Sequence, residues 1–129
     1  KGSMVFGKSI RQHDMDVTPL GFELGQTPFD ESPQIYSSCD HKALMTNAHK
    51  GTVLTGDSFV TKKLSLSADA IDMEAFALAK TCHHLDLEFS CLKYISDGAD
   101  SCSTTDWPKE VKKGAVKFES VLEKLKESF

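Results

Sequence analysis

No stretch of this sequence approaches the roughly 20 consecutive apolar residues that a membrane-crossing helix needs. No charged and then apolar leader precedes the first strand-like segment either. These absences argue against a membrane partner and lead to the expectation of a cytoplasmic setting. Basic residues are not in surplus: 15 Lys and Arg stand against 19 Asp and Glu, a net charge of −4. The chain therefore lacks the footprint of a nucleic-acid binder, although a local pocket for a small anion stays possible. Its four cysteines, Cys39, Cys82, Cys91 and Cys102, include no C-x-x-C pair and read as free thiols. Cys39, His41, His83 and His84 do not fall at the spacing of a usual zinc site. Neither a metal nor a cofactor is expected, and there is no internal repeat or low-complexity segment.

What is present is an ordinary soluble composition, 40% hydrophobic and 26% charged over 129 residues, enough for one core and too little for two comfortable ones. Met4, Val5 and Phe6 read as a short strand. From Arg11 to Phe29, Pro19, Gly21, Gly25 and Pro28 break any regular element and predict a long structured loop, of the kind that is usually functional or an interface arm. Moderate helical character predicts a helix over 33–49. Gly51 to Thr55 reads as a buried strand ended by Gly56-Asp57. Residues 69–84, free of Gly and Pro, predict a strong helix, and 89–95 a second strand broken by Ser96-Asp97-Gly98. Strand, helix, strand implies a parallel βαβ crossover, with ligands gathering at the carboxyl ends of the strands, so that 55–60 and 96–100 should be neighbours. A last helix over 108–126 should cover the sheet with Val111, Ala115, Phe118, Leu122 and Leu125, and Asp106 and Pro108 suit its first turn. The expected class is α/β, a mixed sheet with parallel βαβ units flanked by helices.

Three features point to chemistry. Asp72 and Glu74 stand among Ile71, Met73, Ala75 and Phe76, and a carboxylate against apolar surface needs a partner. A lysine, backbone amides or a ligand diol would each serve, and the residues leave the three open. Asp97 follows a strand and precedes Gly98, which suits either a turn or a catalytic acid. Phe59 and Val60 follow Thr55-Gly56-Asp57-Ser58, where the aromatic either plugs the core or stacks on a flat ligand.

Four segments, in order, carry a resemblance: Arg11-Gln12-His13-Asp14-Met15-Asp16-Val17-Thr18, Thr55-Gly56-Asp57-Ser58-Phe59-Val60, Asp72-Met73-Glu74-Ala75 and Ile95-Ser96-Asp97-Gly98-Ala99-Asp100. Together they resemble the nucleoside phosphorylase superfamily, and within it the methylthioadenosine/S-adenosylhomocysteine nucleosidase branch. The similarity reaches back to Gly2, which favours a native beginning over a cloning remnant at 1–4. It implies that Phe59 stacks on a purine and that the Val60 backbone bonds the purine edge. It also implies that Met73 packs under the sugar, that Glu74 accepts hydrogen bonds from ribose hydroxyls, and that Asp72 belongs to the same substrate-binding turn. Asp97, held near Ser96, is implied as the general acid that protonates N7 of the leaving base. An unperturbed Asp, with a pKa of ~3.9, is mostly ionised at neutral pH, so its surroundings must keep a proton available.

The resemblance further implies that the family's water-activating glutamate and glycine-rich anion loop lie upstream of Lys1. Residues 1–129 would then be the C-terminal portion of a single domain, unable to complete the reaction alone. At Lys93 the branch usually carries arginine, so its contact to water or an anion loses a planar fork. At Gln12 relatives often carry an aromatic. The family uses the 11–18 loop to reach a partner subunit's pocket, which implies a homodimer. Hydrolysis of a methylthioadenosine-like nucleoside is the leading expectation. Phosphorolysis, with Arg11 and His13 near an anion, and a non-catalytic binding or storage role are the alternatives.

Overall fold

The computed structural model describes residues 1–100 and 103–128, without side chains for 103–106. Strand β1, Met4–Gln12, is the centre of the fold. Met4, Val5, Phe6 and Ile10 are buried, which is why this segment pairs on both edges. It runs parallel to β3, His49–Thr55, over its length. Its other edge is shared: antiparallel β5, Leu92–Tyr94, pairs with Met4 to Phe6, and antiparallel β2, Ile35–Ser37, pairs with Ser9 to Arg11. Strand β4, Ala70–Asp72, continues the sheet parallel to β3, for a five-stranded mixed sheet. The register of β1 on β3 slips between Gly7 and Ser9. Gly7 is required there, since a Cβ would lie 2.8 Å from Val53 Cγ2 and 3.2 Å from Cys91 Cβ.

Helix α2, Ala75–His84, lays Ala75, Phe76 and Ala79 on the sheet. The Phe76 ring meets Tyr36 of β2 edge-on at 5.3 Å, joining the core of Val5, Ile10, Val53 and Cys91. Helix α1, Lys42–Met45, is a single turn, and α3, Ser103–Lys126, docks through Tyr94 of β5. The Tyr94 hydroxyl donates to Glu110 at 2.7 Å, and Gly114 lets the α3 backbone approach the ring.

The α/β class and the mixed sheet with parallel strands stand as expected, and several elements differ in detail. Residues 33–49 do not form one helix: Tyr36 is drawn into β2 by pairing with Ile10 and by its core contact with Phe76, leaving only α1 helical. The helix expected over 69–84 begins at Ala75, because Ile71 and Asp72 instead pair with Leu54 and Thr55; tertiary pairing overrides local propensity. The strand over 89–95 narrows to Leu92–Tyr94 and runs antiparallel to β1, so it does not close a parallel crossover with β3. Parallel connections link β1 to β3 and β3 to β4. The last helix starts at Ser103 and holds Pro108 inside it. Its packed face is Glu110, Gly114, Phe118, Val121 and Leu125, while Val111, Ala115 and Leu122 stay exposed. This face meets Tyr94 at the close-approaching Gly114, and α3 also packs against α1. The Asp106 side chain and Cys102 lie outside what is described; Cys39, Cys82 and Cys91 are free thiols. No helix among the described residues is long and apolar enough to cross a membrane.

Candidate active site

The site is built where β4 hands over to α2. Asp72 is the last residue of β4, and its side chain is only 7% exposed. Its Oδ2 accepts the Ala75 N–H at 2.9 Å, so Asp72 rather than the N-cap residue Glu74 satisfies the start of α2. Its Oδ1 accepts the Thr55 hydroxyl at 2.5 Å, while that hydroxyl oxygen accepts the Phe76 N–H at 3.0 Å. The third partner is the Lys93 ammonium, which ion-pairs with Asp72 and lies 3.7 Å from Glu74. Burial pulls the Lys93 pKa down, but the hydrogen bond and charge of Asp72 outweigh it and leave the pKa raised. Because Asp72 does the capping, Glu74 is free to face outward, its side chain 65% exposed.

A second framework holds the 56–60 turn. The Gly56 N–H donates to the Asp72 carbonyl at 3.1 Å, and the His13 N–H to the Thr55 carbonyl at 2.9 Å. Asp14 Oδ2 accepts the Asp57 N–H at 2.6 Å. Burial acts to raise the Asp14 pKa, yet the hydrogen bonds from Asp57 and Gln12 prevail and lower it. Phe59 emerges from this turn half exposed. On the facing side, Ile95 is clamped by backbone bonds, its N–H to the Ser3 carbonyl and its carbonyl from the Gly2 N–H. That clamp delivers Ser96 and Asp97. The Ser96 hydroxyl donates to Asp97 Oδ2 at 2.8 Å, and the Ala99 N–H to Oδ1 at 2.9 Å. Ala99 adopts a φ of 53°, a left-handed conformation uncommon for a residue with a side chain.

These frameworks enclose one open cleft of about 750 Å³. Phe59, Val60, Asp72, Met73, Glu74, Lys93, Ser96 and Asp97 all line it, while Arg11 and His13, set near an anion in the phosphorolysis alternative, do not. A cleft of this size suits a nucleoside-scale ligand.

A model of the phosphorylase superfamily matches residues 1–128. This chain belongs to that superfamily. Among solved structures, it is 27% identical to the 5'-methylthioadenosine/S-adenosylhomocysteine nucleosidase of Neisseria meningitidis in complex with methylthio-immucillin-A, with a TM-score of 0.81 over 100% of this chain and 63% of that one. The nucleosidase of Colwellia psychrerythraea 34H, in complex with adenine, is 26% identical, with a TM-score of 0.76 over 94% of this chain and 57% of that one. The futalosine hydrolase of Helicobacter pylori, 21% identical with a TM-score of 0.78, shares the fold over 96% of this chain and 61% of that one. The phosphorylase-superfamily chain thus spans less than two thirds of the length of these structures.

The superfamily cleft also contains residues that the sequence did not single out. Trp107 reaches it from α3 and Tyr94 from β5. No local pattern marks either: Trp107 arrives with α3, and Tyr94 is placed by the pairing of β5 with β1. Asp69 lines the cleft while accepting the Thr52 N–H at 2.8 Å; that bond outweighs burial and, with His49, lowers its pKa. Asp14 was visible as part of a motif, but its role in holding the 56–60 turn depends on a contact across 43 residues.

Proposed function

We propose that this chain is the C-terminal portion of a single nucleoside phosphorylase-like domain, and that the full protein hydrolyses the N-glycosidic bond of a methylthioadenosine-like purine nucleoside. The observation that carries this reading is the convergence of Glu74 and Asp97 on one cleft that also holds Phe59 and Met73. Phe59 stacks on the purine and the Val60 backbone bonds its edge. Met73 packs under the ribose while Glu74 accepts from its hydroxyls, and its outward-facing carboxylate suits that task. Asp72 supports this turn through Ala75 and Lys93.

Asp97 protonates N7. The Ala99 N–H and the Ser96 hydroxyl hold the two carboxyl oxygens in place, so that the proton donor is positioned toward the base. As the proton moves to N7, the bond between the base and C1′ breaks with its electrons flowing into the imidazole ring. Water then adds to the oxocarbenium-like sugar and releases a proton, leaving neutral base and free sugar.

Support for water over phosphate as the nucleophile comes from the likeness to the two nucleosidases at 27% and 26% identity. A cytoplasmic homodimer joined through the 11–18 loop completes the proposal. Support for the dimer comes from the apolar surface beyond that loop, where Leu20 is 73% exposed, Phe29 is 96% exposed, and Phe29 stacks edge-on against Phe22 at 5.8 Å.

The test is to incubate the full-length protein with methylthioadenosine, with and without phosphate, and to measure free adenine. Adenine release without phosphate is expected. Release only with phosphate makes the protein a phosphorylase, and binding without release makes it a binding protein.

A further inference from the structure

A second chamber, of about 360 Å³, opens off the cleft. Ala68, Ile71, Gly98 and Ala99 line both spaces. The chamber begins at Thr61, next to Val60, and at Gly98, next to Asp97, and it touches none of Met73, Glu74 or Lys93. It therefore adjoins the end of the cleft assigned to the base and shares neither Met73 nor Glu74, the residues assigned to the sugar.

Its chemistry differs from that of the main cleft. Leu64, Leu66 and Ile71 provide apolar surface, Ser67 a hydroxyl, and Lys62 and Lys63 two cations beside the carboxylate of Asp100. Asp100 folds back toward Gly98, where a Cβ would lie 2.8 Å from its Oδ2. Among the described residues the main cleft has more carboxylates than lysines and the side chamber more lysines than carboxylates. At roughly 30 Å³ per water-sized group, the space accommodates on the order of ten non-hydrogen atoms.

We propose that this chamber is a subsite for a substituent on the purine itself, one with a short apolar spacer ending in a carboxylate, so that the enzyme cleaves base-substituted as well as plain nucleosides. The inference rests on the base orientation proposed above. The spacer lies along Leu64, Leu66 and Ile71, and the carboxylate pairs with Lys62 and Lys63. Because the added group sits beyond the base, it leaves the ribose contacts and the approach of Asp97 to N7 unchanged.

The experiment uses the full-length protein and three substrates: methylthioadenosine, its analogue with a carboxypropyl group on the exocyclic nitrogen, and the matching neutral carboxamide. Release of the base is followed for each in the wild type and in a Lys62→Ala/Lys63→Ala double variant. The wild type is expected to cleave the carboxypropyl compound with a lower KM than the carboxamide. The double variant should raise the KM for the carboxypropyl compound about fivefold, as befits exposed ion pairs, and remove its advantage over the carboxamide. Its kcat and KM for methylthioadenosine should not change. If methylthioadenosine is cleaved and both substituted compounds are refused, or if the double variant affects all three alike, the subsite is wrong while the nucleosidase reading stands. If no nucleoside is bound or cleaved, both fall together.

Discussion

Asp72 and Lys93 form an ion pair although their strands, β4 and β5, are separated in the sheet by β1 and β3. The pair joins the turn that presents Glu74 to the strand that leads into Ser96 and Asp97. Removing one partner leaves the other charge in a largely buried setting, which typically costs about 3–5 kcal/mol. Asp72→Ala also strips the start of α2 of its acceptor for the Ala75 N–H. Denaturant unfolding should therefore show a loss of about 3 kcal/mol or more, with Lys93→Met milder because Asp72 keeps its bonds from Thr55 and Ala75. Equal and small losses in both variants would remove the pair from the framework of the site.

Asp97→Asn removes the proton donor while leaving a side chain of the same shape. Base release should fall by about 10²–10⁴-fold, the usual contribution of positioned proton transfer, with nucleoside binding little changed. Calorimetric binding measured beside turnover checks both halves. A variant that turns over at the wild-type rate takes Asp97 out of the mechanism.

Gly114 is where α3 meets β5, and an added Cβ would lie 2.9 Å from Tyr94 Cδ1. Gly114→Ala should destabilise by about 1–3 kcal/mol, the range for an overpacked contact. Since Trp107 rides on the same helix and lines the cleft, the emission of this single tryptophan should also shift. Unchanged stability together with unchanged emission would mean that α3 is not seated on Tyr94.

Cys91 is 5% exposed, and burial pushes its thiol up to about 11 from an ordinary 9.0. Exposed Cys39 should therefore react with a thiol reagent at pH 8 while Cys91 stays protected until the chain unfolds. Above pH 9 the unfolded thiol ionises and the folded one does not, so the stability tied to this burial declines as pH rises from 9 toward about 11. Peptide mapping after timed alkylation is decisive; early labelling of Cys91 contradicts the packing.

The folded pKa of Asp14 lies below the ordinary 3.8. Its hydrogen bonds thus contribute stability above pH 3.8 that is lost as pH falls through the lower folded value. Amide exchange at Asp57, whose N–H donates to Asp14, should remain protected at about pH 5 and lose protection only below about pH 3.8. Loss already at pH 5 would show that another contact holds the 56–60 turn.

Several elements were legible because local signals and tertiary demands agreed. Gly51 to Thr55 is apolar and β-branched and lies in β3, and the end of α2 at His84 fell where the periodic segment ends. The failures share one cause. Ile71 and Asp72 have helical neighbours, yet the open edge of β3 satisfied their backbone groups first. Tyr36 sits in a segment of moderate helical character, yet its pairing with Ile10 and the Phe76 ring fixed it in β2.

The sequence by itself determined the α/β class, the family and the motif residues that line the cleft, because these depend on residue types in short ordered motifs. Tertiary structure alone decided the direction of β5, the face that α3 buries and the employment of Asp72, because each depends on which backbone edge or charge stands opposite. Asp72 shows the division most plainly. Its position among apolar neighbours announced a need for a partner, and only the fold, by carrying Lys93 across two strands, supplied one.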